Sequence, residues 1–314
     1  MPHKISRRRL LQVGAAAGAA LLVKGHPLMA EDTHTTPNEA NLPKQMKVAA
    51  VQLRSTRDLG ENVKKHCEHI RKLGADGVRV LAFPECSLTG YFDEAVEKAT
   101  PAQLAEAEDT VCDATKDAGV YAIVGGVTKT GDITYNSALV FTPQGTIIER
   151  YHKVQLAGEK WATPGDHMSV FPIDDTFGSI IICHDERYPE LVRLPVLAGA
   201  RIVFYISSES GIVEEQKIGP YRAQICARAA ENCVHIVHAN TPADPKTMEG
   251  SHGQSRIIKS NGNIVCEGSI FGEDVLTAEL DLRGANGYFA TQSMNCKFLK
   301  DWWEAGVSRV KRIG

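Results

Sequence analysis

Three side chains with complementary chemistry stand where strands are expected to end. Glu85 closes Leu81-Ala-Phe-Pro-Glu, Lys153 closes Ile147-Ile-Glu-Arg-Tyr-His-Lys, and Cys183 closes Ser179-Ile-Ile-Ile-Cys. Strand ends are where open α/β folds place reactive groups. A thiol attacks electrophilic carbon once its proton is removed, a carboxylate can take and return that proton, and an ammonium can hold a developing oxyanion. The run His184-Asp-Glu-Arg-Tyr-Pro-Glu190 after the cysteine reads as a turn leading into a helix, whose amides favour a thiolate and can also hold an oxyanion. Each residue alone has an ordinary structural reading: a turn or cap carboxylate, a solvated lysine, a core cysteine. The three together point to nucleophilic catalysis.

The elements that would position them alternate. Lys47–Leu53 reads as a buried strand, and residues 62–77 carry Val63, Cys67, Ile70 and Leu73 at helical spacing. A second strand, Val78–Phe83, runs to Pro84-Glu85, and Ala102–Ala118 repeats the helical period. Strands Tyr121–Val127, Tyr135–Phe141 and Thr146–Tyr151 follow with only turn residues between them. The second half returns to alternation: strand Ser179–Cys183, helix 189–199, strand Ile202–Ile206, helix Tyr221–Asn232 and strand Val234–Ala239. Hairpin strands flank Ser260-Asn-Gly262, and Val275–Leu282 reads as the last strand. Strand–helix pairs in both halves with antiparallel strands between them predict an α/β domain of two sheets faced by helices.

These segments resemble the nitrilase superfamily, the carbon–nitrogen hydrolases. Phe83-Pro-Glu85 with Leu88-Thr-Gly-Tyr91 is similar to that family's glutamate segment, His152-Lys-Val154 to its lysine segment, and Cys183–Glu190 to its nucleophile segment. The separations, 68 residues from Glu85 to Lys153 and 30 from Lys153 to Cys183, also fit. The resemblance extends through Arg228-Ala-Ala-Glu-Asn232, Asn240-Thr241 and Gly253–Gly262, covering residues 46–283. It implies a four-layer α-β-β-α sandwich, usually assembled as a dimer or larger homo-oligomer. Cys183 would be the nucleophile, Glu85 the acid–base carboxyl, and Lys153 the oxyanion partner together with the backbone N–H of His184. Glu159, in Glu159-Lys-Trp-Ala-Thr-Pro-Gly165, matches a second family glutamate that positions the lysine; its alternative is a surface-loop residue.

Tyr91, Arg187, Ser208 and Glu209 are the candidate substrate contacts. Arg187 would either meet a substrate carboxylate or brace the loop after the nucleophile, and Glu209 would favour an amine-bearing substrate. His184 is poorly placed to activate Cys183 through its side chain, because neighbouring strand residues face opposite ways. His184-Asp185 after the cysteine resembles the amidase and carbamoylase branches rather than the Trp-Glu of nitrilases. The expected reaction is therefore hydrolysis of a small amide or N-carbamoyl compound with release of ammonia, needing no metal or organic cofactor. The alternatives are a nitrilase, an acyl-transferring relative, or a non-catalytic binding protein of the same fold.

Composition narrows the field further. At 43% hydrophobic and 23% charged residues, with a net charge of −3, the 314-residue chain has the make-up of a soluble globule without the basic stripe of a nucleic-acid binder. The eight cysteines contain no Cys-x-x-Cys, and His235 and His238 would point to opposite faces of one strand, which argues against redox and metal centres. Ser6-Arg-Arg-Arg-Leu-Leu11 and the apolar, alanine-rich residues 10–23 resemble a twin-arginine export signal covering residues 1–30, too short for a membrane span. This implies a periplasmic or extracellular bacterial protein with no membrane anchor once the signal is removed. Residues 31–45 read as a flexible lead-in, 46–283 as the catalytic domain, and 284–314 as an extension that packs on a partner subunit or back on the core.

Overall fold

The computed structural model describes residues 45–209 and 217–314, so the candidate export signal lies outside the described residues. The first half builds one sheet from β1 (Met46–Gln52), β2 (Val80–Ala82), β3 (Tyr121–Thr130), β4 (Ile133–Phe141) and β5 (Ile147–His152). Helices α1 (Leu59–Ala75), α2 (Asp93–Lys98) and α3 (Pro101–Ala118) are interspersed. The second half contributes β6 (Met168–Ile173), β7 (Thr176–Ile182), α4 (Glu190–Leu197), β8 (Ile202–Ser207), α5 (Ile218–Asn232), β9 (His235–Asn240), β10 (Arg256–Ile258), β11 (Ile264–Glu267) and β12 (Asp274–Leu280). The chain then forms α6 (Tyr288–Ser293), α7 (Lys300–Val307) and β13 (Val310–Arg312). The strand orders are β12-β1-β2-β3-β4-β5 and β11-β10-β9-β8-β7-β6-β13. Strands β1, β2 and β3 are parallel neighbours, as are β7, β8 and β9, whereas the β3–β4–β5 meander is antiparallel.

Strict alternation along buried strands produces the layers. In β1, Val48 and Ala50 face the opposite sheet while Ala49 and Val51 face the helices. In β8, Ile202, Phe204 and Ile206 point into the sandwich and Val203 and Tyr205 point outward. Strands covered on both faces need apolar residues at every position, which is why these stretches read as continuous hydrophobic runs. The core between the sheets joins Val80, Ala82 and Val140 of one to Phe171, Ile180 and Phe204 of the other. Ile70, Leu73, Val111 and Ala114 of α1 and α3 cover the outer face of the first sheet. Leu191, Val192, Ile225 and Ala229 of α4 and α5 cover that of the second. The result is the α-β-β-α sandwich expected from the sequence.

Local signals set several boundaries. Asp58 caps α1 by accepting the Glu61 N–H at 2.8 Å. Thr100 and Gln103 form a capping box on α3, Pro101 opens it, and Gly119 ends it in the left-handed conformation. The second strand is shorter than Val78–Phe83, because Pro84 has no N–H and the chain turns away from the sheet there. Leu280 does not end the last strand: β13 follows and pairs in parallel with β6, and Lys311 reaches the buried carboxylate of Glu149 on β5 at 3.0 Å. The 284–314 segment thus packs back on its own core, while Phe298 and Trp302 remain exposed.

The turn after β2 lies against β3 so closely that only glycine fits opposite it. A Cβ on Gly125 would sit 2.1 Å from the Pro84 carbonyl oxygen and 2.7 Å from Glu85 Cα. Gly125→Ala therefore must push the Glu85 turn off the sheet. Urea denaturation of this variant is expected to show a loss of about 1–3 kcal/mol, and an unchanged midpoint would mean the turn yields freely.

Candidate active site

Strand ends bring the three predicted residues together. Glu85 follows β2, Lys153 follows β5 and Cys183 follows β7, so the group spans both sheets. Lys153 Nζ lies 2.7 Å from Glu85 Oε1 and also contacts Glu159 Oε1, with no side-chain surface of Lys153 or Glu85 exposed. Gly165 permits this on the lysine side: its N–H donates to the Lys153 carbonyl at 2.8 Å, and a Cβ there would lie 2.1 Å from the His152 carbonyl oxygen.

A buried ammonium is costly unless its charge is met. Burial opposes the charge on Lys153, but Glu85, Cys183 and Glu159 together outweigh that and raise its pKa above the ordinary lysine value. Burial likewise disfavours the Glu159 anion, yet Lys153 overrides it and brings the carboxyl down to about 2. The remaining lone pairs are satisfied by donors. Asn136 Nδ2 and the Ser208 N–H donate to Glu85 at 2.7 and 2.8 Å. The Tyr91 hydroxyl and the Ala157 N–H donate to Glu159 at 2.8 and 2.6 Å. Burial and the two carboxylates raise the Tyr91 pKa, so it stays a neutral donor.

Cys183 opens a 3-10 turn, Cys183–Arg187, with φ at +46°, a left-handed conformation that non-glycine residues adopt only under constraint. Asp185 supplies the constraint. It accepts the Ile182 and Gln155 N–H groups at 3.0 and 2.8 Å and the Tyr151 hydroxyl at 2.8 Å, tying the nucleophile turn to the segment after Lys153. The Cys183 Sγ lies 4.0 Å from the Ser208 carbonyl oxygen. Burial first, and Glu85 second, hold its pKa well above the ordinary thiol value despite Lys153. The resting group is therefore a thiol rather than the thiolate that the turn amides suggest, and it must lose its proton during reaction. The His184 ring lies edge-on to Tyr188 at 5.8 Å.

The other predicted residues divide. Tyr91, Ser208 and Glu209 border a cleft of about 450 Å³, with Arg54, Arg57 and Asp244 on its far side. This volume suits a small molecule. The triad does not line the cleft itself but meets it through Tyr91 and Ser208. Ser208 contributes its backbone to the site. Arg187 stacks its guanidinium over the Tyr221 ring at 4.9 Å. Glu209 turns its carboxylate inward: Oε1 accepts from the Tyr205 hydroxyl at 2.7 Å and Oε2 contacts His252, with the side chain only 1% exposed, an orientation away from a substrate amine in the cleft. Asn136 and Asp185 were not singled out as site residues. A signal existed for Asn136, since asparagine is disfavoured inside a strand as apolar as Tyr135–Phe141.

Comparisons with known proteins bear on the family and the fold. Residues 47–288 match the carbon–nitrogen hydrolase family model. A Xenopus laevis protein described as an omega-amidase is 27% identical over 258 residues, covering 76% of this chain and 90% of the relative. A Pyrococcus abyssi protein described as a nitrilase is 29% identical over 246 residues, covering 76% and 90%. The crystal structure of an amidase from Nesterenkonia sp. superposes with a TM-score of 0.72 at 21% identity, over 83% of this chain and 98% of that one. Saccharomyces cerevisiae Nit3 gives 0.69 at 22% identity, over 81% and 95%.

The Lys153–Glu159 pair has a pH signature. The Glu159 carboxyl is depressed on folding, so its contribution to stability is fully present above the ordinary value of 4.5 and is lost as pH falls through about 2. Glu159→Gln should flatten the fall of melting temperature across that acid window. Equal slopes for wild type and variant would show that the pair contributes nothing to acid stability.

Proposed function

The chain belongs to the carbon–nitrogen hydrolase family, and we propose that within it the protein hydrolyses a small amide through a Cys183 thioester. As Sγ bonds to the carbonyl carbon, its proton passes to Glu85, and the oxyanion is held by Lys153 Nζ with the His184 N–H. Glu85 then returns that proton to the leaving nitrogen, the C–N bond breaks, and ammonia departs, leaving an acyl thioester. Water attacks the thioester after yielding a proton to Glu85; the carboxylic acid leaves and the thiol is restored. Glu159 keeps Lys153 in place. No step requires a metal or organic cofactor.

The observation carrying this reading is the shared Ser208 backbone. Its N–H fixes Glu85 Oε2 at 2.8 Å while its carbonyl stands 4.0 Å from Cys183 Sγ, setting base and nucleophile against one another. Amide over nitrile is supported by His184-Asp185 after the cysteine and by the relatives described as omega-amidases. A mutant of the Nesterenkonia amidase bears acrylamide added at its active-site cysteine, and another was crystallised with butyramide. The cleft volume of about 450 Å³ is in keeping with a small amide or N-carbamoyl compound. We further propose that residues 1–30 export the protein to the periplasm or beyond, and that it assembles as a homo-oligomer; cell fractionation and light scattering test these two points.

Ammonia release from short aliphatic amides, N-carbamoyl amino acids and nitriles tests the reaction. Release from an amide should vanish in Cys183→Ala and fall roughly 10²–10³-fold in Lys153→Met, the scale for losing one oxyanion partner. Nitrile turnover without amide turnover would overturn the amide assignment.

A further inference from the structure

Behind the nucleophile lies a second buried polar cluster that the proposed reaction does not use. Glu209 is at its centre, with its side chain 1% exposed. The groups facing it come from every element around it. Tyr205 of β8 donates at 2.7 Å, His238 of β9 stands at 3.6 Å, and His252 contacts the other oxygen. The buried guanidinium of Arg256 and the carboxyl of Glu186, in the turn after Cys183, complete the surroundings. Glu186 has no hydrogen-bond partner on either oxygen. Two buried carboxyls in one site oppose each other's ionisation. Burial and the neighbouring Glu209 raise Glu186 to about 9, so the negative charge resides on Glu209, among the histidines.

This cluster flanks Ser208, whose N–H meets the base and whose carbonyl stands 4.0 Å from the nucleophile sulfur. On one side of Ser208, the Ser207 hydroxyl meets His238 Nε2 at 2.8 Å and Asn240 Oδ1 at 3.0 Å. On the other, the Glu209 N–H donates to Asn240 Oδ1 at 3.2 Å while its carboxylate is held by Tyr205 and His252. Asn240 is itself fixed by the Gly253 carbonyl at 2.7 Å and by Ser251. Ser208 is thus clamped at both neighbours.

We propose that Glu209 is a positioning residue for catalysis, acting through the Ser208 backbone to hold Glu85 against Cys183. This rests on the thioester reading above, but its test does not need turnover. The geometry also opposes a role for Glu209 in binding a substrate amine, because the carboxylate is committed to the cluster.

The test compares full-length wild type with Glu209→Gln, Tyr205→Phe and His252→Gln, each checked for folding by circular dichroism and melting temperature. With the best amide of the panel, kcat should fall roughly 10–100-fold in Glu209→Gln, the scale for a misplaced reacting group, with KM changed less than about twofold. Tyr205→Phe should give a smaller fall of the same kind. Glu209→Gln/His252→Gln should cost no more than the worse single variant, since both release one clamp. The second readout is Cys183 alkylation by iodoacetamide, followed by intact mass. Loss of positioning frees the base from the thiol and slows labelling, whereas loss of a nearby negative charge alone speeds it. Slower labelling in Glu209→Gln supports the proposal even if no amide is turned over, an outcome that would instead sink the amidase reading. Unchanged or faster labelling in folded Glu209→Gln, or a KM effect confined to amine-bearing amides, would overturn it. Should Glu209→Gln fail to fold, the same two readouts in Tyr205→Phe decide.

Discussion

A single ammonium with no contact with solvent governs the architecture of the site. Lys153 stays charged because two carboxylates converge on it, and each of those carboxylates is held by further donors. Satisfied this way, the cluster is rigid; with any of these donors removed, a buried carboxylate oxygen would be left without its hydrogen bond, a costly defect in an interior. The arrangement is also asymmetric. Two carboxylates face one ammonium, and burial, with Glu85 beside it, holds the pKa of the Cys183 thiol well above its ordinary value. On the proposed chemistry the nucleophile is generated only as the electrophile is attacked, which limits the lifetime of a free thiolate and its exposure to oxidation.

The sandwich is what makes such convergence possible. Glu85 and Lys153 come from the first sheet, Cys183 and Ser208 from the second, and the interlocked apolar faces between the sheets set the distance across which they meet. Two glycines, 125 and 165, let backbone approach backbone at the two charged corners. Asp185 then joins the halves, since its carboxylate binds the nucleophile turn on one side and the segment after Lys153 on the other. The groups that orient the site are thus mostly backbone amides and neutral side chains placed by the sheets.

Legibility in the sequence followed physical kind. Glu85, Lys153 and Cys183 could be read because reactive residues stand where strands are expected to end, a one-dimensional signal. The helices with clear caps and periods, α1 and α3, were legible to within a few residues. Strand β6 was not, since Pro172 breaks the usual strand signature, nor was β13, whose three residues gain strand geometry only from a distant neighbour. Asn136, Asp185 and the direction of the Glu209 carboxylate were illegible for a related reason. Their roles depend on which groups lie across the fold from them, and Glu209, next to a strand end, read as facing the mouth when it faces the interior.

Strand β13 carries a consequence for how this molecule comes into being. It lies beside β6, and Lys311 offers a cation to the buried Glu149. During synthesis β6 and β5 leave the ribosome long before β13 does, so a sheet flank and a carboxylate wait for a partner that arrives late. An open flank of that kind invites pairing with another nascent chain. The short β13 thus closes the fold in time as well as in space, covering a flank that formed well before it.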